Sequence, residues 1–318
     1  QLHLQPILRR KIELQSVTEQ LVVTSPVRED FDVIVVGGGH AGCEAALVAA
    51  RLGARTALFT MDAGAVARMS CNPSIGGMAK SHIVFELDAL GGEMARNTDC
   101  TGIQFRVLNT RKGPAVQANR AQCDKAAYSA RMAAVLAATR NLTVVEATVA
   151  SLLMQSGKLS GVVTTDGMTV RGRAVVLTAG TFLNGTIHIG KTRFQGGRMG
   201  ESAATALGAA LRDMGFRAGR LKTGTPPRLH RDSVDYARMA PQPGLEPPPF
   251  FSMAVRREWQ LFHVEHGAEG ASEAGDQGPE AGSQGAEVCS KNPSSLRLTS
   301  DRWSLNSGLF HVEHGGCP

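Results

Sequence analysis

The feature that most limits what this chain can become is a strand, a glycine loop and a helix written without a gap. Phe31–Val36 (FDVIVV) is a short run of apolar and β-branched residues, the make-up of a strand buried on both faces. It runs straight into Gly37-Gly38-Gly39-His40-Ala41-Gly42, where Gly37, Gly39 and Gly42 fit G-x-G-x-x-G. Glu44 to Leu52 is alanine-rich and helical in character, Gly53 ends it, and Arg55–Thr60 (RTALFT) reads as a second strand. That order predicts an α/β fold opening on a parallel βαβ unit. Gly37 permits the tight turn out of the strand. Gly39 lets backbone N–H groups approach a pyrophosphate, and Gly42 lets the helix pack closely on the sheet. The phosphates then sit on the positive end of the helix dipole. The motif alone says little, but between a strand and a helix it predicts a dinucleotide loop at Gly37, Gly38, Gly39, His40, Ala41 and Gly42. His40 either takes part or is held by local backbone hydrogen bonds. Asp62 is the acid nearest the end of the second strand, and either holds a ribose or belongs to the loop after it.

A second block supports a flavin over a nicotinamide. Leu142–Val149, Ser160–Thr165 and Met168–Arg171 are short strand-like runs separated by turn residues such as Gly157 and Asp166-Gly167, which predicts a β-meander. Ala174–Leu177 (AVVL) then enters Thr178-Ala179-Gly180-Thr181. A buried strand ending in a small-residue turn there returns the chain to the first sheet. This arrangement is similar to the two-dinucleotide-fold flavoproteins of the glutathione reductase type. The resemblance implies an FAD-binding Rossmann-like parallel sheet with a β-meander.

Charge and cysteine usage narrow the classes further. The formal charge of +6 permits a polyanion partner such as RNA without identifying one. The six cysteines include no C-x-x-C pair, which argues against a zinc cluster or a disulfide-dense secreted scaffold, and no metal site is predicted. No apolar run approaches the roughly 20 residues that span a bilayer, so no membrane association is expected. Arg106, Arg111, Lys112, Arg120 and Lys125 form a basic run around Gly113-Pro114, suited to RNA phosphates, to a flavin pyrophosphate or to a solvated face.

Four stretches, Ser70-Cys71-Asn72-Pro73-Ser74-Ile75-Gly76-Gly77, Glu86–Gly92 (ELDALGG), Arg106–Val116 (RVLNTRKGPAV) and Arg220–Arg228 (RLKTGTPPR), together with GGGHAG, closely resemble the MnmG/GidA family. Thr181–Gly190 and Gly196-Gly197-Arg198 fit it too, and the resemblance covers about Phe31 to Tyr236. It implies FAD-dependent addition of a carboxymethylaminomethyl group to C5 of the wobble uridine of tRNA. It also implies FAD as cofactor, NADH as reductant and methylene-tetrahydrofolate as one-carbon donor. The implied partners are tRNA, the MnmE GTPase and a second copy of the chain, in the cytoplasm or, in a eukaryote, the mitochondrion. Residue by residue, Gly37–Gly42 match the phosphate loop, Val149 a backbone contact to the adenine side of FAD, and Cys71 a proposed catalytic cysteine. Ala204 stands where the family has a flavin-contacting serine. A thiolate at Cys71 adding to C6 of uracil makes C5 nucleophilic, which is covalent catalysis; the competing reading is a small buried hydrophobe.

The expected organisation is an N-terminal extension at 1–30, an FAD-binding domain at 31–235, a Pro-rich linker at 236–266 and a disordered tail at 267–318. Pro241, Pro243, Pro247, Pro248 and Pro249 mark the linker, and Gly, Ala, Glu and Ser dominate the tail. LFHVEHG occurs at 261–267 and again at 309–315. Its paired histidines suit a metal less well than an in-frame palindromic DNA element, because Phe-His-Val-Glu can be encoded by a sequence that is its own reverse complement. The family's second cysteine motif, its late flavin segment and its helical domain do not occur here, so the chain reads as a truncated or frameshifted member. The competing expectations are a generic FAD/NAD oxidoreductase and an inactive fragment.

Overall fold

The computed structural model describes residues 30–227 and 229–267. The predicted opening unit is β1 (Phe31–Val36), α1 (His40–Arg51) and β2 (Thr56–Thr60). Next come β3 (Ser74–Gly76), α2 (Ser81–Ala89), α3 (Met94–Thr101), β4 (Gly102–Leu108), β5 (Ala118–Cys123) and α4 (Lys125–Ala138). After these are β6 (Leu142–Glu146), β7 (Val149–Gln155), β8 (Lys158–Thr164), β9 (Thr169–Leu177) and the hairpin β10 (Thr186–Ile189) and β11 (Thr192–Gln195). The last two helices among the described residues are α5 (Thr205–Asp213) and α6 (Met253–Gly267).

The large sheet has the order β6-β2-β1-β9-β8-β7. Its β6, β2, β1 and β9 are parallel, with Val36 opposite both Phe59 and Leu177. β1 is flanked on both sides and β2 is buried at every position, which is why both are written as unbroken apolar runs. Val35, Leu58 and Val144 pack on one face with Cys43, Ala46 and Leu47 of α1 and Tyr128, Met132 and Leu136 of α4. Ile34, Ala57, Phe59 and Val145 pack on the other with Val162, Val170 and Leu207. The Asp124 carboxylate starts α4 by accepting from Ala126 N and Ala127 N at 2.9 and 3.0 Å.

Two strand boundaries differ from expectation. Leu142–Val149 holds β6 and only the first residue of β7, and β6 joins the parallel sheet beside β2 instead of the meander. Met168–Arg171 and Ala174–Leu177 are one strand, β9. Its early residues pair antiparallel with β8 and its later ones parallel with β1, so a single strand serves both the meander and the parallel sheet.

The second sheet, β3-β5-β4, is antiparallel and small. It is completed from far along the chain. Within the segment expected to be a linker, Leu245 N donates to Phe105 O at 2.9 Å, and Phe250 and Phe251 are core residues. Phe251 meets Phe85 at 5.3 Å between ring centroids, and Phe250 meets Phe105 at 5.6 Å and Trp259 at 6.0 Å. Two carboxylates hold the start of α6. Asp99 accepts from Phe251 N and Ser252 N at 3.0 and 2.6 Å, and Asp88 accepts from Met253 N at 3.0 Å. The first LFHVEHG copy falls at the end of α6. The second copy, and the tail from 268, lie outside the described residues.

Candidate functional site

Because β1, β2, β6 and β9 run parallel, their C-terminal ends share one edge of the sheet. That edge carries Gly37–Gly42, Met61-Asp62, Ala147-Thr148-Val149 and Thr178. The chain order reverses at β1, with β2 and β6 on one side and β9 on the other. Open α/β sheets bind ligands at such a point.

Added side chains would meet very different surroundings around the loop. At Gly37, whose φ is +113°, a Cβ would lie 2.6 Å from Thr178 O. At Gly42 it would lie 1.7 Å from Gly37 O, so the third glycine lets the helix start against the loop itself as well as near the sheet. At Gly39 it would meet nothing within 4 Å. The loop is thus packed shut on the protein side and open at Gly39. The Thr178 hydroxyl holds the packed side, at 2.9 Å from Val36 O and 3.0 Å from Gly37 O. Gly39 is the N-cap of α1, no side chain caps the helix, and its first turn holds no acid. The first N–H groups and the positive end of the dipole therefore face the open side.

Around this opening stand charged groups brought from separate segments. Arg68 Nη1 is 2.8 Å from Glu201 Oε1, and its Nη2 is 3.7 Å from Asp62 Oδ2. Arg198 Nε is 3.3 Å from the other Glu201 oxygen, and its guanidinium carbon lies 5.0 Å from the centre of the Phe182 ring. His40 stands edge-on to Tyr128 at 5.5 Å. Burial, and then the nearby Arg198 charge, hold the His40 pKa below its ordinary value, so the ring is neutral at pH 7. Two buried polar atoms here lack a hydrogen-bond partner among the described residues: His40 Nδ1 and Arg198 Nη1. Orphaned buried polar atoms are rare unless a ligand or water completes them. An open glycine, an uncapped helix start and an unmatched guanidinium nitrogen fit the pyrophosphate of a dinucleotide.

The remaining predicted residues are more widely spread. Asp62 lies two residues past β2, as N-cap of a short 3-10 turn at Ala63–Ala65, on the same edge as the loop. Val149 begins β7. Its side chain is buried in the core with Phe59 and Val145, and Ala147 N just before it donates to Thr60 O at 2.9 Å. Ala204 is buried just before α5, and its N donates to Phe182 O at 2.8 Å. Its methyl brings no hydroxyl to this region. Cys71 is half-buried on the turn before β3, 4.0 Å from Gly224 O of the RLKTGTPPR stretch. It is not at a helix start, since α2 begins only at Ser81. Cys43 and Cys123 are buried, and desolvation pushes both thiols up to about 12, which leaves them as small apolar groups. Arg111, Lys112 and Lys125 of the basic run are exposed, whereas Arg106 and Arg120 face each other across β4 and β5.

No signal for Arg68 and Glu201 is visible in the sequence, since they are 133 positions apart. Arg198 stands inside a motif, but nothing in the motif tells that its guanidinium turns toward the loop.

The family described as Glucose inhibited division protein A matches residues 32–271, running on past Tyr236. The chain is 52% identical over 229 residues to the tRNA uridine 5-carboxymethylaminomethyl modification enzyme MnmG of Geobacter sulfurreducens, covering 72% of this chain and 36% of that protein. It is 55% identical over 228 residues to the enzyme of the same name from Pelobacter propionicus, again covering 72% and 36%. Among solved structures, Aquifex aeolicus GidA superposes with a TM-score of 0.69 at 48% identity, covering 72% of this chain and 38% of that one. The chain spans about 36% of the length of the curated relatives it matches.

Proposed function

Because the chain belongs to the glucose inhibited division protein A family, we propose that it forms the flavin-binding part of an enzyme that modifies the wobble uridine of tRNA at C5. The observation that carries this reading is the open Gly39 at the uncapped start of α1. In this reading the N–H groups of Gly39, His40 and Ala41 hold the FAD pyrophosphate, Arg198 adds positive charge, and Gly37, Gly38 and Gly42 keep the loop closed behind it. Asp62 takes the adenosine ribose and the Val149 backbone lies on the adenine side. When bound, FAD supplies the redox step, with NADH as reductant and methylene-tetrahydrofolate as carbon source. The MnmE GTPase and a second copy of the chain are the partners.

Cys71 is the nucleophile in this proposal. Its thiolate adds to C6 of the uracil, the displaced electron pair moves to C5, and C5 takes the carbon unit. Loss of the C5 proton then drives elimination of the thiolate and restores the ring. No helix among the described residues is long and apolar enough to cross a membrane.

The test has two parts. The purified chain should carry flavin absorbance, and Gly39→Val should lose it, because a side chain enters the space the phosphate needs. Flavin retained equally by both forms overturns the site. For the reaction, the chain is joined to the remaining segment of the Geobacter sulfurreducens relative and expressed in a strain lacking the native enzyme. Wobble-uridine modification, read by nucleoside mass spectrometry, should return. Cys71→Ser should abolish it while keeping the flavin. A flavin-loaded chimaera that leaves uridine unmodified overturns the activity.

A further inference from the structure

The small sheet has one face the proposed reaction does not use. In the register of β4 and β5, Phe105 opposes Ala121 on the core side, while Gln104 opposes Gln122 and Arg106 opposes Arg120 on the other. Like charges directly opposite one another in a sheet are destabilising. Among the described residues no carboxylate lies within ion-pair distance of either arginine. Both are half-buried. They line a cavity of about 330 Å³ with Gln104, Asn109, Gln122 and Gln242. Its wall is the proline-rich segment. Gln104 Nε2 donates to Gln242 O at 2.5 Å, and Leu245 N is bonded to Phe105 O. Its floor adjoins the turn of Cys71. The Gln122 amide, in the orientation that satisfies it, donates to Pro73 O at 3.3 Å and accepts from Arg120 Nη2 at 3.1 Å. Two arginines in register across the strands, Arg120 Nη2 also 3.5 Å from Ser74 Oγ, with neutral amides and no acids around them among the described residues, leave about two positive charges for something else to neutralise.

We propose that Arg106 and Arg120 form a second anion site, distinct from the glycine loop, that takes two negative charges carried on phosphoryl oxygens. Guanidiniums match phosphoryl oxygens with paired N–H donors. The two charges come either from a small diphosphate or from two successive phosphodiesters of an RNA strand. Only the RNA source rests on the tRNA reading above; the site itself does not.

The experiment uses the full chain carrying Gly39→Val, which closes the other anion-binding loop. Inorganic pyrophosphate is titrated by calorimetry and a labelled decauridylate by fluorescence anisotropy at several salt concentrations. Arg106→Gln and Arg120→Gln should each weaken binding about tenfold. For decauridylate each should lower the salt slope by about 0.7. Relief of the opposed charges should leave the melting temperature unchanged or higher, and Arg106→Lys should keep the slope. Loss for both probes supports the site and an RNA source. Loss for pyrophosphate alone supports the site with a small-molecule source and moves RNA contacts elsewhere. Unchanged binding of both probes overturns the proposal. So does a lower melting temperature with Arg106→Lys as impaired as Arg106→Gln, because the arginines are then structural.

Discussion

The two sheets of this chain are stabilised in different ways. In the large one, β1 and β2 bury Ile34, Val35, Leu58 and Phe59 against layers on both faces, one of them built in part by the adjoining helix through Cys43, Ala46 and Leu47. In the small one, β4 and β5 bury one face, through Phe105 and Ala121, and turn glutamine and arginine the other way. That buried face is finished by Phe250 and Phe251. The large sheet is a scaffold whose edge can carry an open, unpacked loop. The small sheet depends on a distant segment, and its polar face is spare for a ligand.

The sharpest test of this difference lies within the loop. Gly42→Val places atoms where Gly37 O already stands, so the loop cannot close. It should cost about 4 kcal/mol or more in urea unfolding, or abolish soluble expression. Phe251→Ala should cost about 3–5 kcal/mol. More tellingly, amide exchange should rise first in β4 and β5 while β1 and β2 stay protected. Equal loss of protection in both sheets would show that they unfold as one body.

A smaller effect comes from Asp99. Burial pushes its carboxyl up to about 7 from an ordinary 3.8, against the hydrogen bonds from Ser252 N and Phe251 N. The folded state therefore keeps a proton that the unfolded chain has released, and this contribution to stability falls as pH rises from about 4 through 7. Asp99→Asn should flatten that part of the pH profile, measured by thermal unfolding in a buffer series. A profile that keeps its slope would assign it to other groups. The smallest expected change is Gly39→Ala, within about 0.5 kcal/mol of the parent, because the added methyl meets open space. A larger loss in urea unfolding would mean the loop is tighter than its geometry allows.

Legibility in the sequence divides along the same line. FDVIVV and the glycine loop are legible because a fully buried parallel strand and a phosphate turn each impose a local pattern. β9 reads as two strands because Gly172-Arg173 looks like a break, yet both lie within one strand that changes partners there. The core role of Phe250 and Phe251 is hidden behind the prolines, since their partners Phe105, Phe85 and Asp99 are about 150 positions away and no periodicity records them. The loop side of the candidate site is legible as glycines. Its charged rim is not, because Arg68, Glu201 and Arg198 become a group only when β9 and the turns after it return to β1.

The bonds from Asp99 to Phe251 and Ser252 span 152 and 153 positions, and they also set an order of events on the ribosome. Among the described residues, the large sheet has its parallel strands once Leu177 has emerged. The small sheet lacks its aromatic cover until Phe251 does, which at roughly 5–20 residues per second is several seconds later. During that interval Phe105, Phe85 and the Asp99 carboxylate are open to water and to neighbouring nascent chains. A pause in synthesis between those two points would therefore leave the molecule open at its small sheet while the large one already has its strands.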